Sequence, residues 1–501
     1  MEPVYEVLKL GAENQMIERT VSVEKRTDRR EDEMGKIVAV SSVVLSEPAK
    51  MEDDFAVYGG RVVFYVCYQA EDGSLKKFET SEDFSVKEKV ADTTGFCGAT
   101  ATALVVKTDY SYEGGLLNLR SVLAVNLALS KCKTTSVFAG GEDVISQKIE
   151  SDVVKGLGVK VGVYPIEEEF ELGFPVAEVV SQNVSTVITS VQSGVGCIIV
   201  DGETYLKVLL LQNIEKGDII REEKVMPFRM EIECEDAMPQ MSAQVSVKER
   251  SLKTDVSVDE TTGKSVVTAT VTLAFEGEVF ETETTNLCQD VFSTTEDLDV
   301  TCAEDICALP EKLTVCDAKV VGRCQTEELP AGVRIMAVGG EFVDVAGYNC
   351  TDGVLTVDGV LGLTVYLKDG DGKVSGRKLE TPFSKPIDCP IACMENKKIF
   401  AIPKCAYARL VSLSELEIGA DVKLTVRARE TKKIKYVKQV TALGEKQTED
   451  SAISVYIGGK GEELWSLSKR LNVCPETLLS TNKELQFPLT GKERIVIYRQ
   501  K

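Results

Sequence analysis

The chain reads as mostly β: three β-rich, sandwich-like units followed by a small α+β module of strand–helix–helix–strand order. Three observations predict this. A strand motif recurs three times along the body. Apolar and polar residues alternate at period two within it. Helical periodicity is scarce in the body and gathers in the last fifty residues.

The first copy of the motif is Val57-Tyr58-Gly59-Gly60, followed by Arg61 to Val66. The second is Val200-Asp201-Gly202, followed by Glu203 to Val208. The third is Val357-Asp358-Gly359, followed by Val360 to Tyr366. Each reads as a strand, a tight turn at x-Gly and a second strand, which predicts a β-hairpin. A second trio follows at Val122–Leu127, Val266–Val271 and Asp421–Val426. Both trios repeat at offsets of roughly 145 and 155 residues, a period too long for a solenoid, so each copy is a domain. The predicted units cover 1–150, 151–308 and 309–447, with the terminal module at 452–498.

Within the copies, Val266 to Leu273 exchange faces at every residue, the mark of a sheet with one buried face. Turns are expected at Glu71-Asp72-Gly73, at Asp259 to Gly263 and at Asp369 to Gly372. Short helices are expected at 142–154 and 303–309. The basic run Arg427, Arg429, Lys432, Lys433, Lys435 and Lys438 alternates with Val426, Ala428, Ile434 and Val437. It reads as the solvent face of paired strands, or else as a docking patch for an acidic partner.

The C-terminal module starts with the β-branched and aromatic run Val455-Tyr456-Ile457, broken by Gly458, Gly459 and Gly461. Leu464, Leu467, Leu471 and Val473 then recur near helical spacing. Pro475 fits the first turn of a second helix, and Cys474 precedes it as a weak cap. Leu478 and Leu479 give that helix an apolar face, Asn482 closes it, and Ile495-Val496-Ile497 is the final strand after the Gly491 turn.

This module resembles a LysM domain, which grips N-acetylated amino-sugar chains or a protein partner. The resemblance places a binding groove between two loops, 461–464 and 482–489, and so implies Gly461, Glu462, Glu463, Leu464, Asn482 and Leu489 as contact residues. Family members commonly carry Gly-Asp-Thr-Leu-Trp where this chain has Gly461-Glu462-Glu463-Leu464-Trp465. The two glutamates add charge and bulk where a neutral sugar would sit, which favours a protein partner. For Trp465, the only tryptophan, a place in the module's core is the default reading and the groove the alternative.

The body in turn resembles the SPOCS domain of spore-coat proteins, on the three x-Gly segments and on Asp290-Val291-Phe292-Ser293-Thr294. SPOCS copies followed by one LysM domain imply a mother-cell scaffold. Its terminal module would engage the coat's basement-layer ATPase (SpoIVA) and other coat proteins at the forespore surface. Peptidoglycan is the alternative ligand.

Composition agrees. A chain of 501 residues with a formal charge of −22 is unsuited to nucleic acid or anionic membrane as its main partner. No run approaches the apolar length of a membrane span, and the N-terminus lacks a basic and an apolar signal region, so a cytosolic protein is expected. The 15 cysteines include no Cys-x-x-C pair and fit free thiols in a reducing compartment. The closest grouping, Cys302, Cys307, Cys316 and Cys324, has poor spacing for zinc.

The chain has no histidine, which removes the commonest general base and most catalytic metal sites. Gly263-Lys264-Ser265 lacks the leading glycine of a phosphate loop, since Val258 stands there. Asp369, Asp371 and Glu380 lack the glycine and one ligand of a calcium loop, with Lys373 and Val374 in those places. No catalytic residue, metal or cofactor is expected.

Overall fold

The computed structural model describes residues 2–11, 15–30, 34–90, 96–213, 217–259, 262, 264–446 and 453–498. The described chain is mostly β, in several antiparallel sheets, with two short helices.

Strands β1 (Pro3–Gly11), β2 (Gln15–Asp28), β3 (Met34–Ser46), β4 (Lys50–Glu52), β5 (Phe55–Ala70), β6 (Leu75–Lys89), β7 (Phe96–Glu113) and β8 (Leu116–Gly141) come first. They are followed by β9 (Ile145–Leu172), β10 (Glu178–Ser193), β11 (Cys197–Asn213), β12 (Asp218–Glu233), β13 (Ser242–Val258) and β14 (Ser265–Phe292). The third set is β15 (Glu296–Ala308), β16 (Lys312–Gln325), β17 (Arg334–Thr351), β18 (Val354–Lys368), β19 (Val374–Ile387), β20 (Lys398–Ser412), β21 (Glu415–Ala428) and β22 (Thr431–Glu445).

One topology occurs three times. A meander (β3-β5-β6, β10-β11-β12 or β17-β18-β19) faces a sheet ordered β2-β8-β7, β9-β14-β13 or β16-β21-β20. In each pair of sheets the inner faces share one apolar core. Phe64, Leu117 and Leu123 lie in the first, Leu206, Val271 and Phe275 in the second, and Leu363, Ile418 and Leu424 in the third. Period-two alternation builds such cores, because one face of every strand turns inward.

The x-Gly segments are not hairpins. Each lies in the interior of one uninterrupted strand, β5, β11 or β18. Gly60, Gly202 and Gly359 pair across the sheet with Phe84, Phe228 and Phe383. A Cβ on Gly202 would stand 2.4 Å from the Phe228 ring, and one on Gly359 would stand 2.7 Å from the Phe383 ring. In these two units the glycine marks close approach of an aromatic ring, a use of strand glycine distinct from turning. The real turns follow later, at Asp72-Gly73 and at Asp369–Gly372. Part of the turn expected at 259–263 lies outside the described residues.

Neither expected helix forms in the body. Residues 145–154 open β9, and 303–308 end β15; their β-branched residues pair into sheets instead of coiling. Strand β9 also runs unbroken through Glu150 and Ser151.

Beyond the sandwiches the outer strands continue into ribbons. The second half of β8 pairs with β1, the second half of β14 with the first half of β9, and β22 with β15. These ribbons pack on one another through Leu10, Val154, Phe280, Leu287, Cys307 and Ile434, and through Phe138, Val291, Val437 and Val440. Tyr5 hydroxyl accepts from Val440 N at 3.1 Å, and Thr135 and Tyr436 hydroxyls lie 2.9 Å apart. The three meanders meet in a further cluster that includes Cys67, Leu209 and Tyr366, which stand at corresponding positions of β5, β11 and β18. The repeats are thus joined at both ends.

Replacing Gly359 by Val should destabilise the third unit by about 1–3 kcal/mol through overpacking against Phe383 and the Asp344 carbonyl. Gly347→Ala, where no atom lies within 4 Å of the added carbon, should change stability by less than about 0.5 kcal/mol. Urea unfolding of the two variants beside the parent checks this.

Candidate functional site

The C-terminal module consists of β23 (Ile453–Ile457), α1 (Leu464–Leu471), α2 (Pro475–Thr481) and β24 (Arg494–Tyr498), with β23 and β24 antiparallel. Leu467, Leu471, Val473, Leu478, Leu489, Ile495 and Ile497 make its core. Helix α1 ends at Asn472, whose φ of 57° places it in the left-handed region, and Pro475 opens α2 without a lost hydrogen bond.

The two loops named from the sequence meet at their bases. Gly461 N donates to Leu489 O at 2.7 Å, and Leu489 N donates to Glu462 O at 3.0 Å. Most of the six residues hold the module together. Leu489 is buried and Leu464 packs half-buried on the core. Asn482 donates to Val496 O and accepts from Val496 N, both at 2.8 Å, so it ties α2 to β24. The Glu462 carboxylate accepts from Arg470 Nε at 2.9 Å and from Gly459 N at 2.9 Å. Arg470 holds it below the usual carboxylate range. Its charge is therefore met within the module. Gly461 and Glu463 are the two members of the set that stand exposed.

Sequence reasoning missed the outer sheet face. Ile453 pairs with Tyr498, Val455 with Val496 and Ile457 with Arg494, and all but the half-buried Val496 are exposed. The signal was present in Ile453, Val455 and Ile457, an alternating apolar set whose inward partners, Ser454 and Tyr456, are the half-buried residues of β23.

Trp465 lies outside the module's core cluster. Its indole Nε1 donates to Asp290 Oδ2 at 2.9 Å, and its ring meets Phe292 edge-on with centroids 5.3 Å apart. Lys469 Nζ donates to both Asp290 oxygens, at 2.6 and 2.8 Å, and Asn472 Nδ2 donates to Thr294 O at 3.0 Å. Residues 465, 469 and 472 share one helical face. Helix α1 therefore packs Leu467 and Leu471 into the module and turns Trp465, Lys469 and Asn472 onto the end of β14. This contact is a latch. Burial pushes the Asp290 carboxyl up, but hydrogen bonds from Lys469 and Trp465 outweigh it and leave the group below its ordinary value.

The second candidate is a cavity of about 310 Å³ lined by all three units. The β7 bulge falls opposite Leu123 and the β13 bulge opposite Leu273, so Ala128 and Glu278, each five residues on, are equivalents. Strands β8 and β21 each follow a two-residue turn, which makes Ala128 and Arg427 equivalents as well. The same register position is thus neutral, acidic and basic in turn. Glu276 pairs with buried Lys248 and accepts from Ala49 N at 2.6 Å and Ser246 Oγ at 3.0 Å. Glu278 accepts from Ser130 Oγ at 3.0 Å and Gln244 Nε2 at 3.1 Å; burial pushes its carboxyl up. Arg427 donates to Glu311 at 3.1 Å and to Val245 O at 2.6 Å, and Arg429 donates to Gln244. The expected solvent-facing basic run is therefore split. Arg427 and Arg429 turn inward between units, whereas Lys433, Lys435 and Lys438 are exposed along β22.

No protein-family model matches the chain, and neither does any curated protein.

Other sequence candidates fall on structural features. Cys302, Cys307, Cys316 and Cys324 lie near different partners: Gln289 O, Val154, Asp388 O and Glu380 O. Among the described residues no group of three or more His, Cys, Asp or Glu is placed to hold a metal. Asp369 accepts from Asp371 N and Lys373 N, closing the β18–β19 turn on itself. Lys264 pairs with Glu171, and Ser265 opens β14; Gly263 is outside the described residues. No described helix is long and apolar enough to cross a membrane.

Two outcomes are expected. Lys248→Met, which strands the buried Glu276 carboxylate, should cost about 3–5 kcal/mol in denaturant unfolding. Asp290→Ala should loosen the latch by about 1–2 kcal/mol, seen as red-shifted emission and stronger acrylamide quenching of the single tryptophan. Because the folded Asp290 value is depressed, the latch is at full strength above about pH 4 and weakens as pH falls toward the folded value. Acidified parent protein should therefore approach the emission of the variant.

Proposed function

We propose that this chain is a non-enzymatic scaffold of the SipL type, built from three SPOCS-like units and a LysM-like module. In this reading it works in the mother-cell cytoplasm, at the forespore surface. Its LysM-like module docks onto the coat's basement-layer ATPase (SpoIVA), and its body spaces or contacts other coat proteins. The observation that carries the reading is the mounting of the module. The latch at Asp290 and Phe292 fixes its orientation on the body, while the apolar face of Ile453, Val455 and Tyr498 stays uncovered.

Such a face suits a protein surface better than a sugar chain, since it offers apolar area and few hydrogen-bonding groups. Exposed Glu463 adds a negative charge at the first loop. The absence of histidine and the structural uses of the conspicuous carboxylates support a binding role over a catalytic one.

The test is capture of purified ATPase by the full-length chain, run beside sedimentation with peptidoglycan. Capture of the ATPase is expected. Val455→Asp should weaken it by about tenfold or more while the β body unfolds at an unchanged denaturant midpoint. Retention on peptidoglycan with no ATPase capture would replace this reading by a wall-glycan binder. Undiminished capture by Val455→Asp would remove the sheet face from the interface.

A further inference from the structure

The cysteines of the third unit are not scattered evenly. The segment 388–397 crosses from β19 in one sheet to β20 in the other, at the end of the third sandwich. It carries Cys389 and Cys393. Cys393 is exposed, and its Sγ lies 3.9 Å from the Sγ of Cys350, next to last on β17. Cys389 is buried in the sandwich core, where its thiol contacts Cys316 of β16.

The second unit supplies an internal comparison. Its corresponding segment follows β12 and begins Cys234-Glu235-Asp236-Ala237, with Ala237 N donating to Cys234 O at 2.9 Å. In the third unit Ala392 N donates to Cys389 O at 3.0 Å, and both alanines are buried. The turn is therefore shared, and Cys234 and Cys389 are equivalent core residues. Cys350 and Cys393 have no counterpart in that turn. Packing does not require sulfur at Cys393, because its side chain is exposed.

We propose that Cys350 and Cys393 form an oxidative modification site, which closes into an intramolecular disulfide and staples the 388–397 segment to edge strand β17. A disulfide needs its sulfurs about 2.05 Å apart, so the 3.9 Å separation leaves about 1.9 Å to close. The oxidant is a peroxide. The Cys393 thiolate attacks hydrogen peroxide, forming a sulfenic acid and releasing one water after proton uptake. The Cys350 thiol then attacks that sulfur, the S–S bond forms, and a second water leaves. Two thiol hydrogens and two electrons thus reduce one peroxide to two waters. The neighbouring Cys350 sulfur holds the Cys393 thiol above its ordinary value, so closure should accelerate as pH rises through the alkaline range.

The full-length chain is treated with hydrogen peroxide, unreacted thiols are alkylated, and peptides are mapped without reduction. The expected product is a peptide pair linking Cys350 to Cys393 in protein that still migrates as a monomer. Cys393→Ser should abolish that pair and leave Cys350 alkylated. Exposed Cys405, whose charged neighbours are carboxylates, a lysine and an arginine, serves as the reference thiol. The proposal is overturned if Cys350 and Cys393 are alkylated as fully as Cys405. It is equally overturned if Cys393 links only between copies of the chain. Cys350→Ala provides the same reading from the other partner, so a folding defect in one variant leaves the outcome decidable.

Discussion

The continuity of β8 and β14 holds the architecture together. Each strand spans a sandwich and then runs on into a ribbon without a break, over 26 and 28 residues. A strand cannot bend out of one sheet and into another without losing ladder hydrogen bonds, so its two halves move together. Packing of the ribbons against one another therefore fixes where the sandwiches stand. The third unit achieves the same arrangement with a break at residues 429–430 between β21 and β22.

Where the repeats touch, they have become unlike one another. Ala128, Glu278 and Arg427 share a register position. Three acidic copies would repel, and three basic copies would do the same. One of each sign beside a small neutral residue lets Gln244 bridge Glu278 and Arg429 and lets Lys248 meet Glu276. Buried ion pairs contribute little net stability compared with apolar packing, but a mismatched one is costly. The charges therefore act mainly on order: they favour one arrangement of the three units and penalise the permuted ones.

The latch applies similar logic at the far end of the chain. Helix α1 is only eight residues long and too short to be stable alone. It gains from burial on two sides, Leu467 and Leu471 within the module and Trp465 against Phe292. Asp290 then satisfies two donors, Trp465 and Lys469, that would otherwise face water at the rim. The same segment, 290–294, ends β14 and turns into β15, so the module rests on the ribbons and not on a sandwich.

Local pattern alone determined much of this protein. Period-two alternation gave the strands, the repeat gave three copies, and Pro475 with the spacing of Leu464, Leu467 and Leu471 gave the two helices. These follow from backbone geometry and from which face a residue takes, which are properties of neighbouring residues in sequence. Tertiary structure decided the rest, because each remaining question turned on a partner distant in the chain. Whether Gly359 turns the strand or lies beneath a ring depended on Phe383 across the sheet. Whether Arg427 meets solvent or Glu311 depended on how the units pack. Whether Trp465 fills the module or fastens it depended on Phe292, and no periodicity around residue 465 reports a ring lying that far back along the chain.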